Sequence, residues 1–376
     1  MLPTSLHAGR ALRAAGICAL PLLAACQERA SGEVVLGVAA PLQEEYGRSV
    51  RQGAELAMRE LNAAGARIRL DFKDDRRDAG HAIAVAKELA DDPRVVAVVG
   101  HNNSGTTLSA APVYSAGRVP AVAISATSPS ISRLGPWIFR VASSDSSNAV
   151  ELARVAAAEG RSIAILYAND DYGQALTRDF TAALGAAGRR VVQSDPYLED
   201  MKDFRPYLRR LKARGVDLVF LAGSEQGATT LVPQAREVGL DARFLGGDGI
   251  EGLAGRGAMY DGTRIGVLFH ADASPEARRF AQAYRGAYGR SPDSSAALAY
   301  DAVRLVARAA AEAGADREKI RGYLERVGAP GGAPAFVGVA GEVRFDAHGD
   351  PVGKPFVVGV ARAGQVALDA AAPAAR

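Results

Sequence analysis

The sequence predicts an α/β protein built on parallel sheets. Short β-rich runs recur from Glu33 onward, the stretches between them carry apolar residues at helical spacing, and most runs are apolar throughout. Continuous apolar strands separated by amphipathic helices indicate parallel sheets covered on both faces. In chain order the strand candidates are VVLGVAAP, RIRLDFKDD, VVAVVG and VPAVAIS, then SIAILYA, DLVFLAG, RFLGGDG and IGVLFHAD. Val50, Ala54, Ala57 and Leu61 mark a helix between the first two, and Ile83, Ala86 and Leu89 mark one between the next pair. FVVGVARAGQVAL closes the pattern as a hairpin with Ala-Gly at its turn.

The alternation exceeds two hundred residues, long for one open sheet, and it breaks at FRVASSDSSN, at HADASPE and at DAHGDPVGKP. Three polar crossings make two discontinuous lobes, 33–141 with 273–350 and 142–272 with 351–369. Residues 370–376 are an Ala/Pro tail expected to be disordered.

With 376 residues, 48% apolar and 23% charged, the chain is long enough for two cores. Removing Arg10 and Arg13 leaves 43 basic against 42 acidic side chains, so charge gives no argument for a nucleic-acid partner. Those two arginines precede AAGICALPLLAAC, an apolar run too short for a membrane span and ending in small residues before Cys26. Residues 1–25 are expected to be a signal peptide and 26–32 a tether. LLAAC resembles the bacterial lipobox, which implies cleavage before Cys26 and acylation of its thiol. Cys26 would then be the sole cysteine of the mature chain, ruling out an internal disulfide.

Chemistry that the sequence lacks narrows the class. His7, His81, His101, His270 and His348 show no metal-ligand spacing, and there is no Walker loop, full GxGxxG or GxSxG. No enzyme activity, metal or cofactor is expected. The polar loop GHNNSGTT follows VVAVVG and opens the helix TTLSAAPVYSAG. It reads either as a capped helix start or as one that also holds an anion, and both remain open.

The order of VVLGVAAPLQEEYGRSVRQGAELAMRELNAAG, DDRRD, VVGHNNSGTT, AISATSP, NDDYGQ, FLGGDG and ALAYDAV resembles the type I periplasmic substrate-binding proteins, the leucine/isoleucine/valine-binding group that serves ABC importers. The resemblance spans nearly all of the mature chain. It implies two Rossmann-like lobes on a three-strand hinge, closing on a ligand at the strand ends. It further implies that Ser104 takes the ligand's α-carboxylate, that Ser125, Ala126 and Thr127 contact carboxylate and ammonium, and that Tyr46, Tyr172 and Tyr300 line the cleft.

Two departures from the family concern specificity. Its ammonium-neutralising glutamate is replaced by the shorter Asp248, and Ser224, followed by Glu225, stands where branched-chain binders carry an aromatic ring. The pocket is therefore expected to be larger and more polar than one made for leucine. The function implied is a monomeric, membrane-anchored, extracytoplasmic lipoprotein that delivers an amino acid to permease subunits. The alternative is a sensing module of the same fold for amides or small carboxylates.

Overall fold

The computed structural model describes residues 32–368. The expected signal peptide, Cys26, the tether before Gly32 and the tail lie outside the described residues.

The first sheet is built from β1 (Val34–Ala40), α1 (Glu45–Ala63), β2 (Ile68–Asp74), α2 (Ala79–Asp91), β3 (Val95–Gly100), α3 (Ser104–Ala116), β4 (Ala121–Ala123) and β5 (Ile138–Arg140). Its strands are all parallel in the order β2-β1-β3-β4-β5. Strand periodicity sorts side chains between two faces: Leu36, Val38 and Ala40 enter the core shared with α1, while Val35 and Ala39 enter the one shared with α2 and α3. Each fully buried valine or leucine side chain of this kind contributes roughly 1.5–3 kcal/mol. On α2 the core-facing stripe is Ala82, Val85, Ala86 and Leu89, whereas Ile83 is 38% exposed. The helical period expected there holds, but its phase turns Ile83 outward.

The second sheet follows the same plan through α4 (Asp145–Glu159), β6 (Ile163–Ala168), α5 (Asp171–Ala186), β7 (Val191–Tyr197), α6 (Arg205–Ala213), β8 (Leu218–Ala222), α7 (Glu225–Glu237), β9 (Arg243–Gly246), a 3₁₀ stretch over Asp248–Arg256, and β10 (Arg264–Val267). After it come α8 (Pro275–Tyr288), α9 (Ser294–Ala313), α10 (Arg317–Leu324), a small hairpin of β11 (Phe336–Gly338) and β12 (Gly341–Val343), and finally β13 (Val357–Arg362) and β14 (Gln365–Leu368). The sheet order is β14-β13-β10-β9-β8-β6-β7, parallel from β7 to β10 and antiparallel through β13 and β14. Ala363 and Gly364, with φ of 50° and 85°, supply the two positive values that a tight two-residue hairpin turn demands.

Three crossings join the sheets. The first core ends at Ala142 and the second sheet's packing resumes at Ala149; Val267 belongs to the second sheet and Leu268 to the first core; Phe345 lies in the first core and Val358 against the second sheet. Helices α8, α9 and α10 thus pack on the first sheet although they follow the second in sequence, with α9 lying along α1.

Candidate functional site

In both sheets the strand order reverses between the first and third strands, β1/β3 and β6/β8, and ligands of open α/β sheets bind outside the carboxyl ends of the strands at that point. Both reversals border one cavity of about 760 Å3, within the roughly 300–1,000 Å3 of small-molecule sites. Its wall is made by residues past β1, β2, β3, β4, β6, β8 and β9 and by the start of α9.

The two lobes enter the cavity through the same device. After β1 the chain reads Tyr46-Gly47, and after β6 it reads Tyr172-Gly173, at the start of α1 and α5. A side-chain carbon at Gly47 would lie 1.9 Å from the carbonyl oxygen of Pro41, and one at Gly173 would lie 2.2 Å from that of Ala168. Only glycine lets each helix start so close to its strand, and that approach carries the neighbouring tyrosine to the cavity wall. Tyr46 donates to Asn103 Oδ1 at 3.4 Å, and burial pushes its hydroxyl up to about 12.

The polar loop after β3 opens α3. Asn103 stands at the N-cap position without a side-chain cap, whereas Asp170 accepts from Gly173 N–H on α5 and Ser224 from Gln226 N–H on α7. The capping reading of this loop therefore does not hold for the Asn103 side chain. Ser104, Gly105 and Thr106, the first turn of α3, line the cavity with the positive end of the helix dipole. Ser104 Oγ accepts from Ser128 N–H at 3.2 Å, which leaves its own proton free to donate. Ser125 also lines the cavity and donates to Asn102 Oδ1 at 3.0 Å.

Across the cavity, Asp248 begins the 3₁₀ stretch after β9. Its Oδ1 accepts from Tyr172 Oη at 3.1 Å, and the same phenol oxygen accepts from Gly249 N–H at 3.2 Å. Burial raises the Asp248 carboxyl to about 6 against the lowering effect of the Tyr172 hydrogen bond. Beside it Asp145 is fully buried, and burial together with the Asp248 charge holds its carboxyl well above the usual range. Asp145 Oδ2 accepts from Thr127 Oγ1 at 2.9 Å, while Oδ1 has no hydrogen-bond partner.

Of the expected site residues, Tyr46, Ser104, Ser125, Tyr172, Ser224 and Asp248 line the cavity. Three do not. Ala126 is buried off the cavity wall, and Thr127, wholly buried, spends its hydroxyl on Asp145. Tyr300 lies in the helical layer of the first lobe, its ring centroid 4.7 Å from that of Phe280 and its hydroxyl on Glu60. It stands six residues into α9, about 9 Å from the end that reaches the cavity, where Ser294 and Ser295 stand instead. Ser224 donates to Glu199, a contact absent from the sequence reading.

The charged wall went largely unread. Besides Asp248, the cavity is lined by Glu44, Glu45, Asp170, Asp171, Glu225, Glu251 and Asp293, with Arg77 and Arg256 as the lining cations. Arg77 lies 3.5 Å from Asp170 and 3.7 Å from Glu199; Arg256 pairs with Glu225 and lies 2.9 Å from Glu45. Glu251 accepts from Ser294 N–H at 3.2 Å, and burial and Asp293 push its carboxyl up to about 8. Its spacing of three from Asp248 in GGDGIEG was the available signal, since i and i+3 share a face of a 3₁₀ helix.

The sequence pattern of the periplasmic binding proteins matches residues 34–365. A Leu/Ile/Val-binding protein homolog from Brucella abortus is 29% identical over 358 residues, covering 91% of this chain and 94% of that one. An amino acid binding protein of Pseudomonas aeruginosa is 30% identical, covering 76% of this chain and 80% of its own. Among solved structures, a leucine binding protein from Thermotoga maritima superposes with a TM-score of 0.82 at 25% identity, covering 90% of this chain and 98% of that one. A pattern match across nearly the whole described chain, joined to two α/β lobes facing one cavity, places this chain in the periplasmic binding protein family.

Proposed function

We propose that this protein is the extracytoplasmic solute-binding component of an ABC importer and that it takes an α-amino acid in the cavity, closes on it and delivers it unchanged to permease subunits. The observation that carries the reading is the pairing of an uncapped, uncharged helix start with an acid across one cavity. The first turn of α3 with Ser104 suits a carboxylate, and Asp248 with Tyr172 suits an ammonium. The names of the relatives agree with such a solute. The lobes, 33–141 with 273–350 and 142–272 with 351–369, would move as bodies about the three crossings. The chain would be a monomer anchored through acylated Cys26, and a lipid mass on the mature protein would establish the acylation.

Calorimetric titration of the purified protein with a panel of amino acids tests the carboxylate assignment. A hydrogen bond to a charged group contributes about 1.5–3 kcal/mol, so Ser104→Ala is expected to weaken binding roughly ten- to a hundredfold with ligand-free stability little changed. Unchanged affinity in that variant would remove Ser104 from the site.

A further inference from the structure

We propose that the solute is an α-amino acid whose side chain ends in a cation, with its α-ammonium at Asp248 and the side-chain cation at Glu251 and Asp293. This inference rests on the amino-acid reading above and narrows it. No Leu, Ile, Val, Met, Phe or Trp lines the cavity among the described residues. Apart from the rings of Tyr46, Tyr172 and Tyr260, a solute side chain would meet hydroxyls, amides and carboxylates there.

The charge on the wall is lopsided. Eight carboxylates line it against two guanidiniums, and each guanidinium is already shared by two acids. Among the described residues, no lysine, arginine or histidine pairs with Asp248 or Glu251. Closure would shut these acids away from water, where each must either keep a proton or be joined by a positive charge, and a solute cation supplies the second. Behind the wall, the fully buried Asp145 keeps Oδ1 without a hydrogen-bond partner among the described residues, and its nearness to Asp248 adds to the excess of acid there. Glu251 of one lobe faces Asp293, the N-cap of α9 on the other. Asp293 divides its oxygens between Ala296 N–H and Ser49 Oγ, and Arg290 stands near it, so Glu251 is the freer of the two. Three residues of a 3₁₀ helix advance about 6 Å, a span that a few methylenes bridge between the two cations of one solute. No three of these acids come together as ligands for a metal ion among the described residues, which favours an organic cation.

The test uses the full chain freed of bound solute, titrated calorimetrically with L-arginine and L-lysine, with their neutral counterparts L-citrulline and L-norleucine, and with L-leucine. A basic amino acid is expected to bind at least roughly a hundredfold tighter than its neutral counterpart. Glu251→Gln, which keeps an acceptor for Ser294 N–H, is expected to lose roughly thirtyfold or more for the basic ligand and to leave the neutral ones within about threefold. Tighter binding of leucine than of either basic amino acid, still weakened by Ser104→Ala, overturns this inference and leaves the amino-acid reading standing. Equal weakening of cationic and neutral ligands by Glu251→Gln shows that Glu251 joins the lobes without reading the side chain, and it too overturns the inference. Binding of no α-amino acid by the folded protein overturns both.

Discussion

Opposing influences meet on the Asp248 carboxyl. Burial disfavours its charged form, the Tyr172 hydroxyl favours it, and the outcome is a value of about 6. An unfolded aspartate sits near 3.9. The folded state therefore holds this proton more tightly than the unfolded state does, and its contribution to stability is full below about 4 and lost as pH rises through about 6. Glu251, raised to about 8 and facing Asp293, extends the same trend upward. The groups facing this pair from other elements, Asp145, Tyr172 and Asp293, are acids and a phenol, so none reverses the sign. The midpoint of thermal unfolding of the ligand-free protein is expected to fall from pH 4 to pH 8, and Asp248→Asn is expected to flatten the part between 4 and 6. A scanning calorimetry series across that range checks it, and a wild-type midpoint rising with pH would contradict it.

At the scale of elements, Tyr46-Gly47 and Tyr172-Gly173 show one helix start used in both lobes to bring a phenol to the cavity. Gly173→Ala would force its methyl against the carbonyls of Ala168 and Ala222, 2.2 and 2.7 Å from the ideal carbon position. Moving α5 away from β6 should destabilise the protein by about 1–3 kcal/mol and displace Tyr172 from Asp248. Urea unfolding and ligand titration of that variant should both register the change; an unaltered midpoint and affinity would show that α5 shifts without consequence. The elements legible in the sequence are those whose burial is uniform: β1, β3, β6 and β8 read as apolar runs, and the helices between them as periodic stripes. Strand β7 was not legible, because VVQSDPY is an edge strand with every second residue exposed and a proline within it. Tyr300 misled for the opposite reason. Helix α9 is buried almost all round, so its sequence does not say which end meets the cavity. Asp145 sits in a serine-rich run that reads as a crossing, and nothing local signals that the carboxyl of such a residue turns inward.

For the whole molecule, several of the bonds that span the lobes beside the cavity are ion pairs. Arg77 reaches from the loop after β2 to Asp170 and Glu199 of the other lobe, and Arg256 reaches back to Glu45. The Arg77 loop is built to hold that reach: Arg76 and Arg77 have φ of 53° and 56°, and their N–H groups donate to Asp74 and Asp75 at 3.0 Å. A buried hydrogen bond between Asp75 and His101 Nδ1, 2.6 Å long, fixes the loop to the end of β3, next to the start of α3. Half-exposed ion pairs contribute little individually, about 0–1 kcal/mol each. Two of them on one side chain bring roughly 1 kcal/mol to the closed form alone, because opening separates the partners. Arg77→Met keeps an unbranched apolar stem and removes the guanidinium and its charge. It is expected to weaken solute binding roughly fivefold, mainly through faster release, since interface changes act on dissociation more than on association. Raising the salt concentration should bring the wild-type protein towards the variant, because partly exposed charges are screened. Stopped-flow release rates at low and high salt separate the possibilities. Equal rates for both proteins at low salt would mean that Arg77 only shapes its own loop, whereas a wild-type rate that rises with salt to meet that of Arg77→Met identifies these pairs as the latch between the lobes.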